Sequence, residues 1–228
     1  MKLIPWDKLP KKMQCEEVEK YYQILEHKSL QLMIKRFFDF TVALILCVVL
    51  FPVLLFIAIM IKVDSPGPVF FKQIRVTQYG KTFRIFKFRT MVVNAEQMGA
   101  QITTNDDCRI TRLGKMIRGY RLDEIPQLIN IIKGDMTFVG TRPEVPKYVE
   151  KYTPIMWSTL LLPAGVTSEA SIRYKDEERL LEGVQNVDEV YVSRILPQKM
   201  KYNLKSVEEF NLINDFKVML QTIGVIVR

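Results

Sequence analysis

An uninterrupted apolar run between Phe40 and Ile61 constrains this chain more than any other feature of its sequence. The run carries no charged side chain and meets the roughly 20 apolar residues that a membrane-embedded helix needs. A core helix of a soluble protein would show a polar face over such a length, and this run shows none. We therefore expect residues 35–62 to form a membrane-embedded helix.

The flanks of the run and a proline near its middle bear on its topology. Pro52 lacks a backbone donor and clashes with the preceding turn, so we expect a bend at Phe51-Pro52. A simple span has one basic, cytoplasmic flank, whereas this run has two. Two basic flanks favour a re-entrant helix that enters and leaves by the cytoplasmic face; an ordinary kinked span is the alternative. The flanking cations are Lys28, Lys35 and Arg36 before the run and Lys62, Lys72, Arg75 and Lys81 after it.

The composition limits the classes of partner. Of the 228 residues, 33 are basic and 25 are acidic, which gives a net charge of +8. A basic balance suits anionic lipid, nucleic acid or a phosphorylated substrate. No nucleic-acid-binding motif is visible, so we expect no nucleic acid partner. Cys15, Cys47 and Cys108 lack metal-type spacing and fit a reduced, cytoplasmic setting.

The periodicity of the chain predicts an α+β, mainly helical fold. The stretches VFFKQIRV and TFRIFKFRTM flank a Tyr79-Gly80 turn and predict a β-hairpin. We expect four parts: a polar N-terminal segment, the re-entrant helix, a small globular domain and a C-terminal amphipathic helix, at residues 1–34, 35–62, 63–206 and 207–228. The last helix has an apolar face that suits packing on the domain or the membrane interface: Phe210, Ile213, Phe216, Leu220 and Ile223. Other predicted elements are helices at 13–34, 94–104, 106–121, 124–133, 147–162, 176–182 and 187–202, a loop at 135–146 and a short strand at 167–174.

The acidic pair Asp123-Glu124 is the first candidate for chemistry. It stands at the start of a predicted helix whose first turn contains Pro126. Carboxylates at a helix N-terminus are stabilised in their ionised form, which is the form that a nucleophile or a metal ligand needs. Taken alone, the two residues are more often simple helix caps.

A series of cations leads into the acidic pair. Basic residues recur at every third position, and those at 112, 115 and 118 share much of one helix face. Such a face suits phosphate transfer, because cations hold a diphosphate while carboxylates bind Mg²⁺ or attack phosphorus. Binding of anionic lipid headgroups is the alternative. The series comprises Arg109, Arg112, Lys115, Arg118 and Arg121.

Two further segments present cations. Arg142 is fixed beside a proline in a loop that opens with Gly140, and a rigid arginine suits a phosphate oxygen. In the hairpin, Lys87 and Arg89 share one strand face and are able to reach inward. Each segment alone is equally consistent with a surface turn or a headgroup-binding strand.

Taken in order, six stretches resemble the bacterial sugar transferases, or monotopic phosphoglycosyl transferases. The similarity covers about residues 32–182, and no single stretch carries it. The stretches are KRFFD at 35–39, SPGPVFFKQ at 65–73, FKFRTM at 86–91, RITRLG at 109–114, LDEIPQL at 122–128 and GDMTFVGTRP at 134–143.

This resemblance implies a reaction and a location. A sugar 1-phosphate passes from a UDP-sugar to undecaprenyl phosphate, UMP is released, and a surface glycan such as exopolysaccharide or lipopolysaccharide is begun. The catalytic domain lies against lipids of the inner leaflet, on the cytoplasmic face of the cell inner membrane. Association into a homo-oligomer is left open.

The resemblance also assigns roles to residues. Asp123 is the nucleophile that forms a phosphosugar intermediate, and Glu124 is its acid/base partner; both are expected to bind Mg²⁺. Arg142 matches the arginine of a Pro-Arg-Pro loop, and Arg118 matches a basic residue before the pair. The full set of expected substrate-binding residues is Arg118, Arg142, Lys87, Arg89, Arg112 and Arg173.

The chain departs from the family pattern at three places. Thr141 replaces the first proline of the arginine loop, and Phe51-Pro52 replaces a common Ser-Pro. The stretch 168–174 lacks the usual glycine, which bears on the donor sugar. Two rival functions are a non-catalytic membrane-anchored protein that binds anionic lipid, and a metal-dependent lipid phosphatase or CDP-alcohol-type transferase. The second would need more carboxylates at metal-ligand spacing than the sequence offers.

Overall fold

The computed structural model describes residues 1–95, 108–180, 184 and 186–226. It is mainly helical, with small sheets, as predicted. The α-helices are α1 Glu16–His27, α2 Ser29–Val49, α3 Phe51–Asp64, α4 Arg112–Gly119, α5 Gln127–Lys133, α6 Pro146–Val149, α7 Glu169–Arg173, α8 Glu177–Leu180, α9 Val187–Val190, α10 Leu196–Glu208 and α11 Leu212–Ile226. The strands are β1 Phe70–Val76, β2 Thr82–Phe88, β3 Met136–Val139 and β4 Ala164–Thr167.

The predicted hairpin is confirmed. Strands β1 and β2 pair antiparallel, from Phe70 opposite Phe88 to Val76 opposite Thr82. The side chain of Asn130 on α5 fixes the outer edge of β2. Its Oδ1 accepts from the backbone N–H of Phe86 at 2.9 Å, and its Nδ2 donates to the carbonyl of Arg84 at 2.9 Å. The hairpin is thereby held against α5, the helix that follows the acidic pair.

A parallel strand pair was not predicted. The expected loop at 135–146 contains β3, which pairs with β4 from Met136 opposite Ala164 to Val139 opposite Thr167. The predicted strand at 167–174 is wrong, because the chain turns into α7 after Thr167. Ser168 caps that helix, since its Oγ accepts from the backbone N–H of Ser171 at 3.0 Å.

Several predicted helix boundaries also change. The helix expected at 147–162 consists of α6 and a separate 3₁₀ helix, Pro154–Leu161, because a proline disfavours helical geometry in the residue before it. The C-terminal helix begins at Leu212 rather than 207, since α10 continues to Glu208 and Phe210 is buried in the core. The predicted helix at 94–104 lies almost wholly outside the described residues.

The apolar run is broken where the sequence predicts. Helix α2 ends at Val49, α3 begins at Phe51 with Pro52 in its first turn, and the axis bends by 62°. Among the described residues, no single helix has both the length and the hydropathy to cross a bilayer, whereas the bent pair reaches them jointly. The predicted bend is thus confirmed.

Both ends of the bent pair belong to one hydrophobic core. Leu9, Met13 and Leu25 precede the pair in sequence, and they pack in the same buried cluster as Leu161 and Met200, which follow it. The segments before and after the bent pair therefore pack together in one folded unit.

The two basic residues just before the apolar run act within the protein. Lys35 is 3% exposed, and its Nζ lies 2.6 Å from Asp215 Oδ2 and 3.6 Å from Asp39 Oδ2. Arg36 donates to the carbonyls of Ile131 at 2.6 Å and Ile132 at 3.0 Å. Lys35 and Arg36 are thus both engaged in contacts within the protein.

A wide apolar surface covers the bent pair and α11. One side of α2 packs on the domain through Ala43, while much of the pair is exposed. An exposed apolar area of this extent marks an interaction surface. Its members include Phe37, Val48, Val49, Phe51, Phe56 and Val63 on the bent pair and Ile213, Phe216, Leu220 and Ile223 on α11.

Candidate active site

The acidic pair lies in a tight turn between α4 and α5. Asp123 and Glu124 end the 3₁₀ turn Leu122–Glu124, and Pro126 immediately precedes α5. Arg121 opens the turn in the left-handed region, at φ 56°, which is strained for a residue with a side chain. The reversal turns Asp123 inward, where it is 9% exposed.

Glu124 is held by two cations from distant parts of the chain. Its Oε1 accepts from Lys87 Nζ on β2 at 2.8 Å and from Arg142 Nη2, after β3, at 2.5 Å. Lys87 Nζ also lies 4.0 Å from Asp123 Oδ2. The predicted site residues Lys87, Asp123, Glu124 and Arg142 are thereby brought together.

The two carboxyl groups differ in their electrostatics. Burial raises the pKa of Asp123, the charge of Lys87 opposes that rise, and the charge of Glu124 reinforces it. Burial would also raise the pKa of Glu124, but the charges of Arg142 and Lys87 outweigh it and hold that pKa well below its usual range. Glu124 is therefore the carboxylate that is ion-paired to two cations, and Asp123 is the carboxylate whose pKa is raised.

The loop that presents Arg142 is pinned by β4. Its Gly140 N–H donates to the carbonyl of Thr167 at 3.0 Å, and the Gly165 N–H donates to the carbonyl of Thr141 at 2.8 Å. A Cβ on Gly165 would clash with the backbone of Gly140, so the close approach requires glycine there. These bonds supply the rigidity that a proline at Thr141 would otherwise give.

The other expected substrate-binding cations divide into two groups. Arg118 lies at the end of α4, and its charge lowers the pKa of Asp123. Arg89 is buried and donates to the carbonyls of Ser65 at 2.7 Å and Pro66 at 2.9 Å. Both line a cavity of about 450 Å³ beside Asp123. We name it the Asp123 cavity, and its lining includes Asp123, Lys87, Arg89, Arg109, Arg118 and Phe71.

Arg112 and Arg173 are not part of the lining of the described cavities next to the acidic pair. Arg112 is exposed at the start of α4. Arg173 pairs with Glu169 at 2.9 Å, and its guanidinium lies 4.8 Å from the ring centroid of Tyr202. Their contacts are those of a surface helix.

A second cavity, of about 260 Å³, borders Glu124 and Arg142. We name it the bend pocket, and its lining includes Leu46, Leu50, Glu124, Gln127, Arg142 and Val225. Arg121, a member of the predicted series of cations, also lines it, and so do Gln127 and Lys175, which were not identified as site residues from the sequence. The sequence signal for Gln127 is a polar side chain at a position of α5 that faces the core with Leu128 and Ile131.

The residues present suit one mode of Mg²⁺ binding. Within the described part of the chain, no cluster of three or more potential metal ligands occurs. Mg²⁺ is commonly bound by one or two carboxylates together with substrate phosphates and water. Asp123 and the second oxygen of Glu124 fit that mode, because Lys87 and Arg142 contact only Oε1 of Glu124.

The chain is similar to known bacterial proteins over most of its length. The family model described as bacterial sugar transferase matches residues 30–228. The chain is 47% identical over 119 residues to the UDP-N-acetylgalactosamine-undecaprenyl-phosphate N-acetylgalactosaminephosphotransferase of Aeromonas hydrophila, covering 52% of this chain and 28% of that protein. It is 40% identical over 157 residues to a putative undecaprenyl-phosphate N-acetylgalactosaminyl 1-phosphate transferase of Bacillus subtilis, covering 68% and 86%.

A third relative is similar over a longer stretch at lower identity. It is the UDP-glucose:undecaprenyl-phosphate glucose-1-phosphate transferase of Escherichia coli, 30% identical over 195 residues, which are 84% of this chain and 39% of that protein. The matched part thus spans well under half the length of the Aeromonas and Escherichia relatives, and most of the Bacillus one. The match of the family model over most of the chain confirms the resemblance seen in the sequence: this protein belongs to the bacterial sugar transferase family.

Proposed function

We propose that this protein transfers a sugar 1-phosphate from a UDP-sugar to undecaprenyl phosphate through a covalent intermediate on Asp123. The observation that carries the proposal is the contrast within the acidic pair. Glu124 is ion-paired to Lys87 and Arg142, whereas Asp123, whose pKa is raised, borders a cavity lined by cations. The names of the three relatives all include undecaprenyl phosphate, and two of them name a UDP-sugar. Because those two differ in the sugar, we assign none.

The reaction divides into two displacements at one phosphorus atom. A carboxylate oxygen of Asp123 attacks the phosphorus that bears the sugar, the bond from that phosphorus to the bridging oxygen breaks, and UMP leaves with the electron pair. An oxygen of the acceptor phosphate then attacks the same phosphorus, and the bond to Asp123 breaks. The carboxylate is regenerated, and the product is a polyprenyl diphosphate sugar.

The surrounding cations lower the barrier for both displacements. Two phosphate groups repel each other, so direct attack of acceptor on donor is disfavoured. Arg118, Lys87 and Arg142 are fixed around the acidic pair before substrate arrives, and preorganised charges stabilise the negative charge that develops on oxygen. Asp123 and Glu124 are the residues that would hold Mg²⁺, and the ion would screen that charge further.

The apolar surface supports a location at the cytoplasmic face of the cell inner membrane. The bent pair and α11 expose apolar side chains that lipid would cover, and the donor is a cytosolic nucleotide sugar. In this arrangement, the bent pair re-enters the inner leaflet, and the acceptor reaches the acidic pair without leaving the bilayer. The reaction would be the first membrane step of a surface glycan pathway.

The function is tested by release of UMP. Purified protein in detergent is given undecaprenyl phosphate and each member of a panel of UDP-sugars, and UMP and the lipid product are measured. We expect UMP and product in equal amounts with one or a few donors. Lipid binding without UMP from any donor would support the non-catalytic alternative.

Chelation should stop turnover. With excess EDTA we expect the rate of UMP release to fall by about a hundredfold or more, because the charge on two phosphates is no longer screened. Adding Mg²⁺ should restore it. The melting temperature serves as the control and should change little, since Lys87 and Arg142 already neutralise Glu124. Full activity in EDTA would remove Mg²⁺ from the proposal.

Replacing Arg142 with alanine should impair use of the donor. We expect kcat/KM for the UDP-sugar to fall about a hundredfold, because the side chain holds Glu124 and presents a guanidinium to phosphate. Arg142→Lys should recover part of the loss, since it keeps the charge without the planar fork. Arg194→Ala, at an exposed position before α10, is the matched control and should behave as wild type. An unchanged kcat/KM would return Arg142 to a structural role.

The topology is tested by labelling single cysteines in intact cells. In a variant without Cys15, Cys47 and Cys108, one cysteine is placed at position 10 or at position 66, both exposed in the fold. A membrane-impermeant maleimide should label neither position until the inner membrane is permeabilised, because the segment before the bent pair shares a core with the domain that follows it. Labelling of position 10 alone before permeabilisation would indicate a true span.

A further inference from the structure

The bend pocket is apolar over most of its wall. It is lined by Leu46 and Leu50 at the bend, Phe138 from β3, Val166 from β4 and Val225 from α11. The pocket therefore forms where the bent pair, the parallel strands and the C-terminal helix meet. Nothing in the two displacements at Asp123 requires an apolar chamber there.

One end of the pocket is charged. Glu124 and Arg142 border it, and so do Arg121 and Lys175, two cations that the two displacements leave without a role. An apolar wall that ends at cations complements an apolar chain that carries an anionic head. A UDP-sugar is polar throughout, so it does not match this wall.

Gln127 provides an independent observation. It lines the pocket, it is 1% exposed, and its Nε2 has no hydrogen-bond partner among the described residues. A buried amide nitrogen that lacks an acceptor destabilises the fold, so natural proteins rarely keep one without a reason. An oxygen atom of a bound ligand would supply the missing acceptor.

We infer that the bend pocket holds the head of the acceptor lipid, with the Gln127 amide donating to its phosphate and the first isoprene units on Leu50, Phe138 and Val166. This assignment rests on the proposed function. Leu50 stands between Val49 and Phe51, which are 64% and 62% exposed on the apolar surface. The rest of the chain thus leaves the pocket toward lipid, while the phosphate lies next to the acidic pair.

The kinetic test replaces Gln127 with leucine, which has a similar volume and no amide. We expect the KM for undecaprenyl phosphate to rise about tenfold to a hundredfold, as for loss of a hydrogen bond to a charged group, with the KM for the UDP-sugar unchanged. The melting temperature should stay the same or rise, because an unpaired buried amide is removed. Asn203→Leu is the matched control. It removes another buried amide with an unpaired atom, in the core cluster around α10, and should alter neither KM.

Two results would overturn the assignment: an unchanged KM for the acceptor, or an equal rise in the KM for the donor. A photolabelling experiment measures binding of the acceptor without turnover. A photoreactive polyprenyl phosphate should label peptides of α5 or α11 in wild type and much less in Gln127→Leu. Farnesyl phosphate should compete, whereas inorganic phosphate and phosphatidylglycerol should not.

The labelling and UMP-release experiments together distinguish failure of the pocket assignment from failure of the proposed function. If wild type labels as expected but releases no UMP from any donor, the proposed function fails and the lipid phosphate pocket stands. If phosphatidylglycerol competes as well as farnesyl phosphate, the pocket is a general headgroup site and the assignment is wrong. If wild type turns over but labels elsewhere, the assignment fails and the proposed function stands.

Discussion

Asp123→Asn should abolish transfer while the protein stays folded. We expect turnover to fall roughly a thousandfold or more, because an amide oxygen is a poor nucleophile and both displacements pass through this atom. The change leaves Lys87 in place, since its Nζ lies 4.0 Å from Asp123 Oδ2 but 2.8 Å from Glu124 Oε1. The melting temperature should therefore be close to that of wild type. UMP release in the absence of acceptor is the most direct measurement, because it isolates the first displacement.

Intermediate trapping and a matched variant sharpen this result. Wild type incubated with donor alone should carry one sugar phosphate on the peptide that contains Asp123, and the variant should carry none. Asp188→Asn makes the same chemical change at an exposed ion pair with Lys147, away from the acidic pair, and should keep full activity. A tenth of wild-type turnover in Asp123→Asn, or an adduct on another residue, would assign the nucleophile elsewhere.

Lys35→Met should be the most destabilising single substitution that we predict. Lys35 is buried between Asp39 and Asp215, and Asp39 also accepts a hydrogen bond from Thr137 Oγ1 on β3. Removing the cation leaves two buried carboxyl groups without it, which costs about 3–5 kcal/mol of the free energy of unfolding. We expect a clear fall in the melting temperature measured in detergent, with partial loss of α11 docking because Asp215 belongs to that helix.

The control makes the same change at the surface. Lys20 pairs with Glu208 at 2.6 Å, but the two side chains are 62% and 43% exposed. Solvent screens such a pair, so Lys20→Met should scarcely alter the melting temperature. Similar losses in the two variants would contradict the view that burial makes Lys35 important. A second variant, Lys35→Met with Asp215→Leu, should recover part of the stability.

Signals that act over a few residues were readable from the sequence. The bend at Phe51-Pro52 follows from the missing donor of one proline, and the hairpin follows from alternation around Tyr79-Gly80. The family resemblance, the acidic pair and the basic helix α4 were likewise evident, because each depends on side chains close together in the chain. The strand face indicated Lys87 and the resemblance indicated Arg142, but neither predicted that both would bind Glu124.

Contacts between distant residues decided the rest. The β3–β4 pair joins four-residue strands separated by more than twenty residues, and strands that short carry little periodicity of their own. Ser168 ends β4 by capping α7, so the predicted strand at 167–174 became a helix. Lys35 reads as a membrane-flanking charge until Asp215, from the far end of the chain, is brought beside it.

The sequence by itself determined the family, the broken apolar run and the carboxylates that carry the proposed chemistry. Only the tertiary structure decided that the pKa of Glu124 is lowered by its two cations while that of Asp123 is raised. It also decided that Arg36 donates to a carbonyl of α5 and that Gln127 lines an apolar pocket. The physical reason is that ionisation, burial and hydrogen bonding depend on neighbours in space. A residue's neighbours in sequence specify its local geometry, but they do not specify which distant charge or cavity it meets.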